Sequence, residues 1–165
     1  MKAPRITTLL LAKAIQAVSK LSLQERVDRI DAIHSRQPNI VDSIIIQSRL
    51  GSSLAHVEVL LELLLVGFET IDLGKFSTRL ITEHMQDASL GELVLEFKKI
   101  EGSEINNDRL TQLDFIASFR EQPYFALVTS RVSEMVQSKH KPELPSAAML
   151  CALNLVRSIE QCFTE

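Results

Sequence analysis

Wound at about 100° per residue, Leu23, Ile30 and His34 fall within about 60° of Val27, on one side of a predicted helix. The same three-and-four spacing gathers Phe125, Val128, Val132 and Met135. A first amphipathic helix is predicted over residues 5–20. Ser22 and Glu25 make a capping box that opens a helix running to about Arg36. Pro38 stands where a first helical position belongs, and Gly51 where a helix ends. Between them, "IVDSIII" also suits a strand, but no partner strand is visible elsewhere, so a helix is expected. Ser53 caps "LAHVEVLLELLLVGFETI", which is apolar nearly all round and therefore predicted to be buried, to about Ile71. Ser77 is predicted to start a short helix through about Met85. Ser89 and Glu92 form a second capping box before a helix to about Ile100. Further helices are predicted from Asn106 or Asn107 to about Glu121, from Pro123 to about Ser138, and from Ser146 to about Phe163. "EGSEINN" and "HKPELP" read as loops.

The pattern repeats. "ERVDRIDAIHS", residues 25–35, is echoed by "DRLTQLDFIAS", residues 108–118, where Arg26, Asp31, Ile33 and Ser35 return as Arg109, Asp114, Ile116 and Ser118. Gln37-Pro38 returns as Gln122-Pro123 after two inserted residues, and "LLVGFE" has a weak counterpart in "NLVRSIE". The expectation is an all-α fold in a single domain, residues 1–165. It is a helical bundle of about eight to nine helices, built as an internal duplication of two similar four-helix halves. The halves would span about 5–72 and 89–163, related by a pseudo-twofold axis, with residues 75–86 as a connector helix. Four short helices leave a wide apolar face, which the second copy would cover. Asp31, about 40° from Val27, borders the predicted buried face. Asp31 and Asp114 are therefore expected to be structural. They would bond the free backbone N–H groups after each Gln-Pro junction, or the hydroxyls of Ser35 and Ser118.

Composition narrows the function classes. A chain of 165 residues with 45% hydrophobic and 24% charged residues is that of an ordinary soluble domain able to bury a core unaided. With no Trp and one Tyr, it offers no stacking platform for single-stranded nucleic acid. A net charge of −3 gives no reason to expect a polyanion partner. Residues 1–36 hold seven basic and three acidic side chains, while residues 37–74 hold one Arg against five acids. That asymmetry reads as two solvated faces, or as a device for self-association. Cys151 and Cys162 lie in one predicted helix, about 16 Å apart along its axis, too far to bridge. A reducing, cytoplasmic setting is the simplest expectation. "MKAPRITTLLLAKAIQAV" imitates a secretory signal, but Lys13 interrupts the apolar run and a retained segment is expected. No apolar run approaches the roughly 20 residues that span a bilayer.

Candidate chemistry is sparse. His34 with Asp31 three residues back could form an acid–histidine pair for general acid–base work or ligand binding. A packed histidine with one satisfied hydrogen bond is the plainer reading, because no nucleophile or third member is identifiable. Glu58, Glu62 and Glu69 fall within about 40° of one another and could bind a cation or a basic partner, though a solvent-facing stripe accounts for them as well. No Glu-x-x-His pair, Cys-x-x-Cys or ligand-spaced histidine occurs, so neither a metal nor another cofactor is expected. Gly67, opposite the acidic stripe, is predicted to let another helix approach closely. Residues 44–61 have the outline of a helix-turn-helix, with Gly51 in the turn. The would-be recognition helix carries glutamates and no Lys or Arg, and glutamates repel phosphate. No phosphate loop and no Gly-x-Ser-x-Gly appears. The expectation is a non-enzymatic helical interaction or regulatory adaptor module whose partner is a protein or a second copy, as in a homodimer. A small-molecule or catalytic site near His34 and Asp31, and DNA binding through residues 44–61, stand as alternatives. A large exposed apolar patch would favour interaction.

Overall fold

The computed structural model describes residues 4–101, 108–137 and 147–164. Among them the helical spacing is realised as eight helices: α1 Thr8–Ser19, α2 Leu23–Arg36, α3 Pro38–Ile45, α4 Leu54–Gly74, α5 Glu83–Glu101, α6 Asp108–Ala117, α7 Gln122–Gln137 and α8 Ala147–Cys162. A single 3-10 turn, Ile46–Ser48, follows α3. No strand forms among the described residues; one isolated bridge joins Thr78 to Phe163. The predicted caps at Asn106, Asn107 and Ser146, and the loops at 102–107 and 140–145, lie outside the described residues.

Local chemistry explains where most helices begin. Thr7 Oγ1 accepts from Leu10 N–H, so α1 starts at Thr8 and not at residue 5. Ser22 Oγ accepts from Glu25 N–H at 3.3 Å, and the Glu25 carboxylate accepts from Ser22 N–H at 2.7 Å, completing the capping box. These bonds hold the Glu25 carboxyl below its usual range. Pro38 occupies the first position of α3, where a missing N–H costs nothing. Ser53 caps α4 through His56 N–H. The α4 helix runs three residues beyond the predicted Ile71, until Lys75 turns left-handed at φ 52°.

The predicted connector helix is not there. Residues 75–82 form an irregular strap, and α5 begins at Glu83, with Thr82 Oγ1 accepting from Met85 N–H at 3.2 Å. The strap is held open by tertiary bonds. Arg79 donates through its main-chain N–H to Cys162 O at 2.8 Å and through Nε to Gln161 O at 2.7 Å. Ile81 N–H donates to Gln37 Oε1 at 2.9 Å. Nor does Ser89 start a helix. It lies buried inside α5, where its hydroxyl accepts from Gln161 Nε2 at 2.8 Å. One helix therefore takes in the end of the first predicted segment and all of the second.

The central pair is α4 and α8, which pack on each other. Helices α1, α2, α3 and α7 also lie against α4, and α5, α7 and α3 against α8. Ile40, Leu60, Leu64, Leu153, Ile159 and Tyr124 are fully buried at this junction. In α4 the buried residues are Leu60, 63–68, Thr70 and Ile71; in α8, Ala148, 151–156, Ser158 and Ile159 repeat that spacing. The buried Ile6, just before α1, and Leu11, Ala14 and Val18 within it have the same spacing as Ile81, just before α5, and Gln86, Ser89 and Leu93 within it. The eleven-residue echo behaves differently, because buried Ile33 aligns with exposed Ile116, and exposed Ala32 with buried Phe115.

Candidate functional site

The buried face of α2 is rotated from the sequence expectation, away from Leu23 and Val27. Leu23 is 80% exposed and Val27 44% exposed; the helix packs instead through Ile33, partly buried Ile30, and Arg26, which donates to Val18 O and Leu21 O. Asp31, Ser35, Asp114 and Ser118 are all exposed residues. The Ser35 hydroxyl donates to the Asp31 main-chain oxygen at 3.0 Å, not to its carboxylate. The N-cap of α3 carries no side-chain hydrogen bond. Ser118 Oγ donates to Phe115 O at 2.6 Å and accepts from Arg157 at 2.7 Å. Asp114 and Ser118 line a shallow depression with Arg157, far in sequence from Asp31. The two serines thus bond main-chain oxygens about one turn back, and Ser118 also accepts from Arg157.

His34 is also exposed, and its partner is Asp42 of α3, Nε2 to Oδ1 at 3.1 Å, rather than Asp31. With both side chains about half or more open to solvent, this surface pair has no enclosed space in which to do acid–base chemistry. The acidic stripe is split between two helices' arginines. Glu69 pairs with Arg29 of α2 at 3.2 Å and Glu62 with Arg131 of α7 at 3.3 Å, while Glu58 is exposed. Among the described residues no group of three His, Cys, Asp or Glu is placed to hold a metal ion.

Gly67 occupies the close approach the sequence suggested. A Cβ there would lie 2.8 Å from Tyr124 Oη and 3.2 Å from Ile159 Cδ1. The Tyr124 hydroxyl uses the space to donate to Leu63 O at 2.7 Å. Burial raises the Tyr124 phenol well above its ordinary value, so it stays a donor.

A groove of about 560 Å³ opens between α3 with its 3-10 turn, the first turns of α5, and the start of α8. Ile46, Leu50, Leu90 and Leu150 form its apolar lips, and Asp42, Glu83 and Asp87 supply three carboxylates; no Lys or Arg among the described residues lines it. Four amides complete it, from α3, the 3-10 turn, α5 and α8 in turn: Asn39, Gln47, Gln86 and Asn154. Each commits amide N–H groups inside the protein, Gln86 through two bonds and the others through one. Asn39 Nδ2 bonds Ile81 O at 3.0 Å, Gln47 Nε2 bonds Ser43 O at 3.3 Å, and Asn154 Nδ2 bonds Gln86 O at 3.3 Å. Gln86 Nε2 reaches the hydroxyls of Ser43 and Ser158, each at 3.4 Å. The amide oxygens of Gln47 and Asn154 have no partner, although these residues are only 9% and 8% exposed. Such orphaned acceptors are uncommon in a folded interior. Cys151 is in the same wall, its thiol donating to Ser43 O at 3.7 Å. Burial pushes the Cys151 and Cys162 thiols up to about 12, so neither is a thiolate at neutral pH.

Apolar surface continues beyond the groove. Ile45, Ile46, Leu50 and Leu54 are all exposed, the last two by 65% and 74%. They fall within the predicted helix-turn-helix outline, whose turn is real: Gly51 has φ +94°, which glycine adopts without strain. The neighbouring charges oppose DNA, since Arg49 is the sole cation in residues 37–74 and the groove beside it holds three carboxylates. The groove's polar residues gave almost no sign of themselves in the sequence. Asn154, a lone amide inside the apolar run "CALNLV", was the one available signal. No helix of the described residues is long and apolar enough to cross a membrane. No protein family, curated protein or solved structure matches the chain.

Proposed function

We propose that this chain is a non-enzymatic helical interaction module, docking another polypeptide or a second copy of itself on the face formed by residues 42–54 and the adjoining groove. The observation that carries this reading is the exposure of Ile45, Ile46, Leu50 and Leu54 around a concave, partly apolar groove. Contiguous apolar surface rimmed by charge is what a docking site leaves open in the unbound protein.

We further propose that the module consists of two like four-helix halves, α1–α4 and α5–α8, related by an approximate twofold. Three features support it. The buried residues of α1 and α5, and those of α4 and α8, share one spacing. The contacts between halves come in exchanged pairs: α4 with α7 and α8 with α3, α1 with α7 and α5 with α3. The residue before Pro38 holds the lead segment of α5, and Glu121, two before Pro123, holds that of α1. Gln37 Oε1 accepts from buried Ile81 N–H, and the Glu121 carboxylate accepts from buried Ile6 N–H at 2.7 Å and Arg5 N–H at 3.1 Å. Isoleucine-threonine stands at both receiving sites, as Ile6-Thr7 and Ile81-Thr82.

A photo-crosslinking amino acid placed at Leu50, Leu54 or Ser35 in the host cell tests the docking face. Covalent adducts are expected from Leu50 and Leu54 and not from Ser35. An adduct of twice the chain's mass identifies a second copy, and any other mass a different polypeptide. No adduct from either leucine, or equal yields at Ser35, rejects the docking face.

A further inference from the structure

The groove's hydrogen-bonding balance is one-sided. Asn39, Gln47 and Asn154 each direct an amide N–H, and Gln86 Nε2 two bonds, to partners within the protein. What faces a visitor is the carboxylates of Asp42, Glu83 and Asp87, with the buried, unpartnered oxygens of Gln47 and Asn154 in the wall behind them. Glu83 lies in the first turn of α5, where part of its charge offsets the helix's own positive end. Asp42 is engaged on one side by His34 Nε2 at 3.1 Å. Asp87, one turn beyond Glu83, is on the same face of α5. The carboxylates repel anions, and no Lys or Arg among the described lining residues offsets them. The site favours a group that only donates, an ammonium or guanidinium.

We infer that the groove receives a lysine or arginine side chain carried on an apolar segment of the docked polypeptide. The inference rests on the docking reading above and names what that partner presents. A polypeptide is favoured over a free amine because the apolar surface does not stop at Leu50 and Leu90. It continues to Ile45 and Leu54, outside the groove, where a small cation filling about 560 Å³ would leave it uncovered. The basic side chain would lie across Asp42 and Asp87 with its donors toward the inner amides, and flanking apolar residues would cover Ile46, Leu50, Leu90 and Leu150.

The test uses the full chain and two short amphipathic helical peptides of identical pattern, one of Leu and Lys, the other of Leu and Glu. Binding is read by fluorescence anisotropy. One variant carries Asp42→Asn, Glu83→Gln and Asp87→Asn; a charge-matched control carries Asp28→Asn, Asp31→Asn and Glu58→Gln, all exposed positions outside the groove. The Leu/Lys peptide is expected to bind. The groove variant should weaken it by about tenfold or more, and the control by about twofold or less. The Leu/Glu peptide should not bind. Three outcomes overturn the inference: no Leu/Lys binding, equal binding of both peptides, or equal weakening by the groove and control variants, which would reduce the effect to net charge. Octylammonium binding as tightly as the peptide, and displacing it, overturns the choice of a polypeptide. Crosslinking at Leu50 reports separately on whether anything docks, so a failed charge preference and a failed docking face are distinguishable.

Discussion

Gly67 and Tyr124 show how one absent methyl sets the distance between two helices. A Cβ at 67 would meet Tyr124 Oη at 2.8 Å and Cζ at 3.0 Å, and that ring is fully buried with no room to retreat. Two effects compete in Gly67→Ala. Helix propensity favours alanine by about 1 kcal/mol. Overpacking a closed interior costs about 1–3 kcal/mol, and the contact distances put this site toward the upper end. The variant is expected to be destabilised by about 1–2 kcal/mol net in urea unfolding. Tyr124→Phe removes the bond to Leu63 O and costs about 0.5–1.5 kcal/mol. The double variant should cost less than the sum, since the first clashing atom is then gone. Strict additivity would mean the contact does not set the packing. Gly67 was legible because glycine weakens a helix interior unless a neighbour needs the space it leaves. Its partner was not, since nothing in residues 123–125 names the helix they press against.

At the scale of elements, capping chemistry was readable and tertiary tethering was not. Ser22, Pro38 and Ser53 act on backbone groups within three residues, so their effect is written locally. Ser89 carries the same signal, Ser followed by Glu at the third place, yet sits mid-helix because Gln161 takes its hydroxyl and Thr82 has already capped α5. Likewise the 75–82 strap resists helix formation through bonds to Gln37, Gln161 and Cys162, all distant in sequence. Gln37 and Glu121 are predicted to act as separate anchors. Glu121→Ala strands the N–H groups of Ile6 and Arg5 and should cost about 2–4 kcal/mol. Native-state hydrogen exchange should then quicken at Ile6 while Ile81 stays protected. Gln37→Ala should do the reverse. Uniform quickening at both amides in either variant would show that the two anchors are not local.

Across the whole molecule, helices α1–α4 and α5–α8 hold one another by exchanged contacts. The α1 lead depends on Glu121 at the head of α7, the α5 lead on Gln37 at the head of α3, and the buried face of α4 packs on α7 and α8. A fragment of residues 1–76 is therefore expected to lack cooperative thermal unfolding, and mixing it with residues 77–165 should restore helicity and a cooperative transition. A fragment that unfolds cooperatively alone would contradict this interdependence. The sequence by itself determined the all-α class, most helix starts, the close approach at Gly67 and the scarcity of cations along residues 44–61. Each depends on periodicity, backbone chemistry or charge acting over a few residues. Only the tertiary structure decided which side of α2 faces inward, that Asp42 and not Asp31 meets His34, and that four amides from α3, its 3-10 turn, α5 and α8 enclose one groove. Those outcomes depend on which surfaces meet, and a helix's own pattern states how much apolar area it must bury without stating against what.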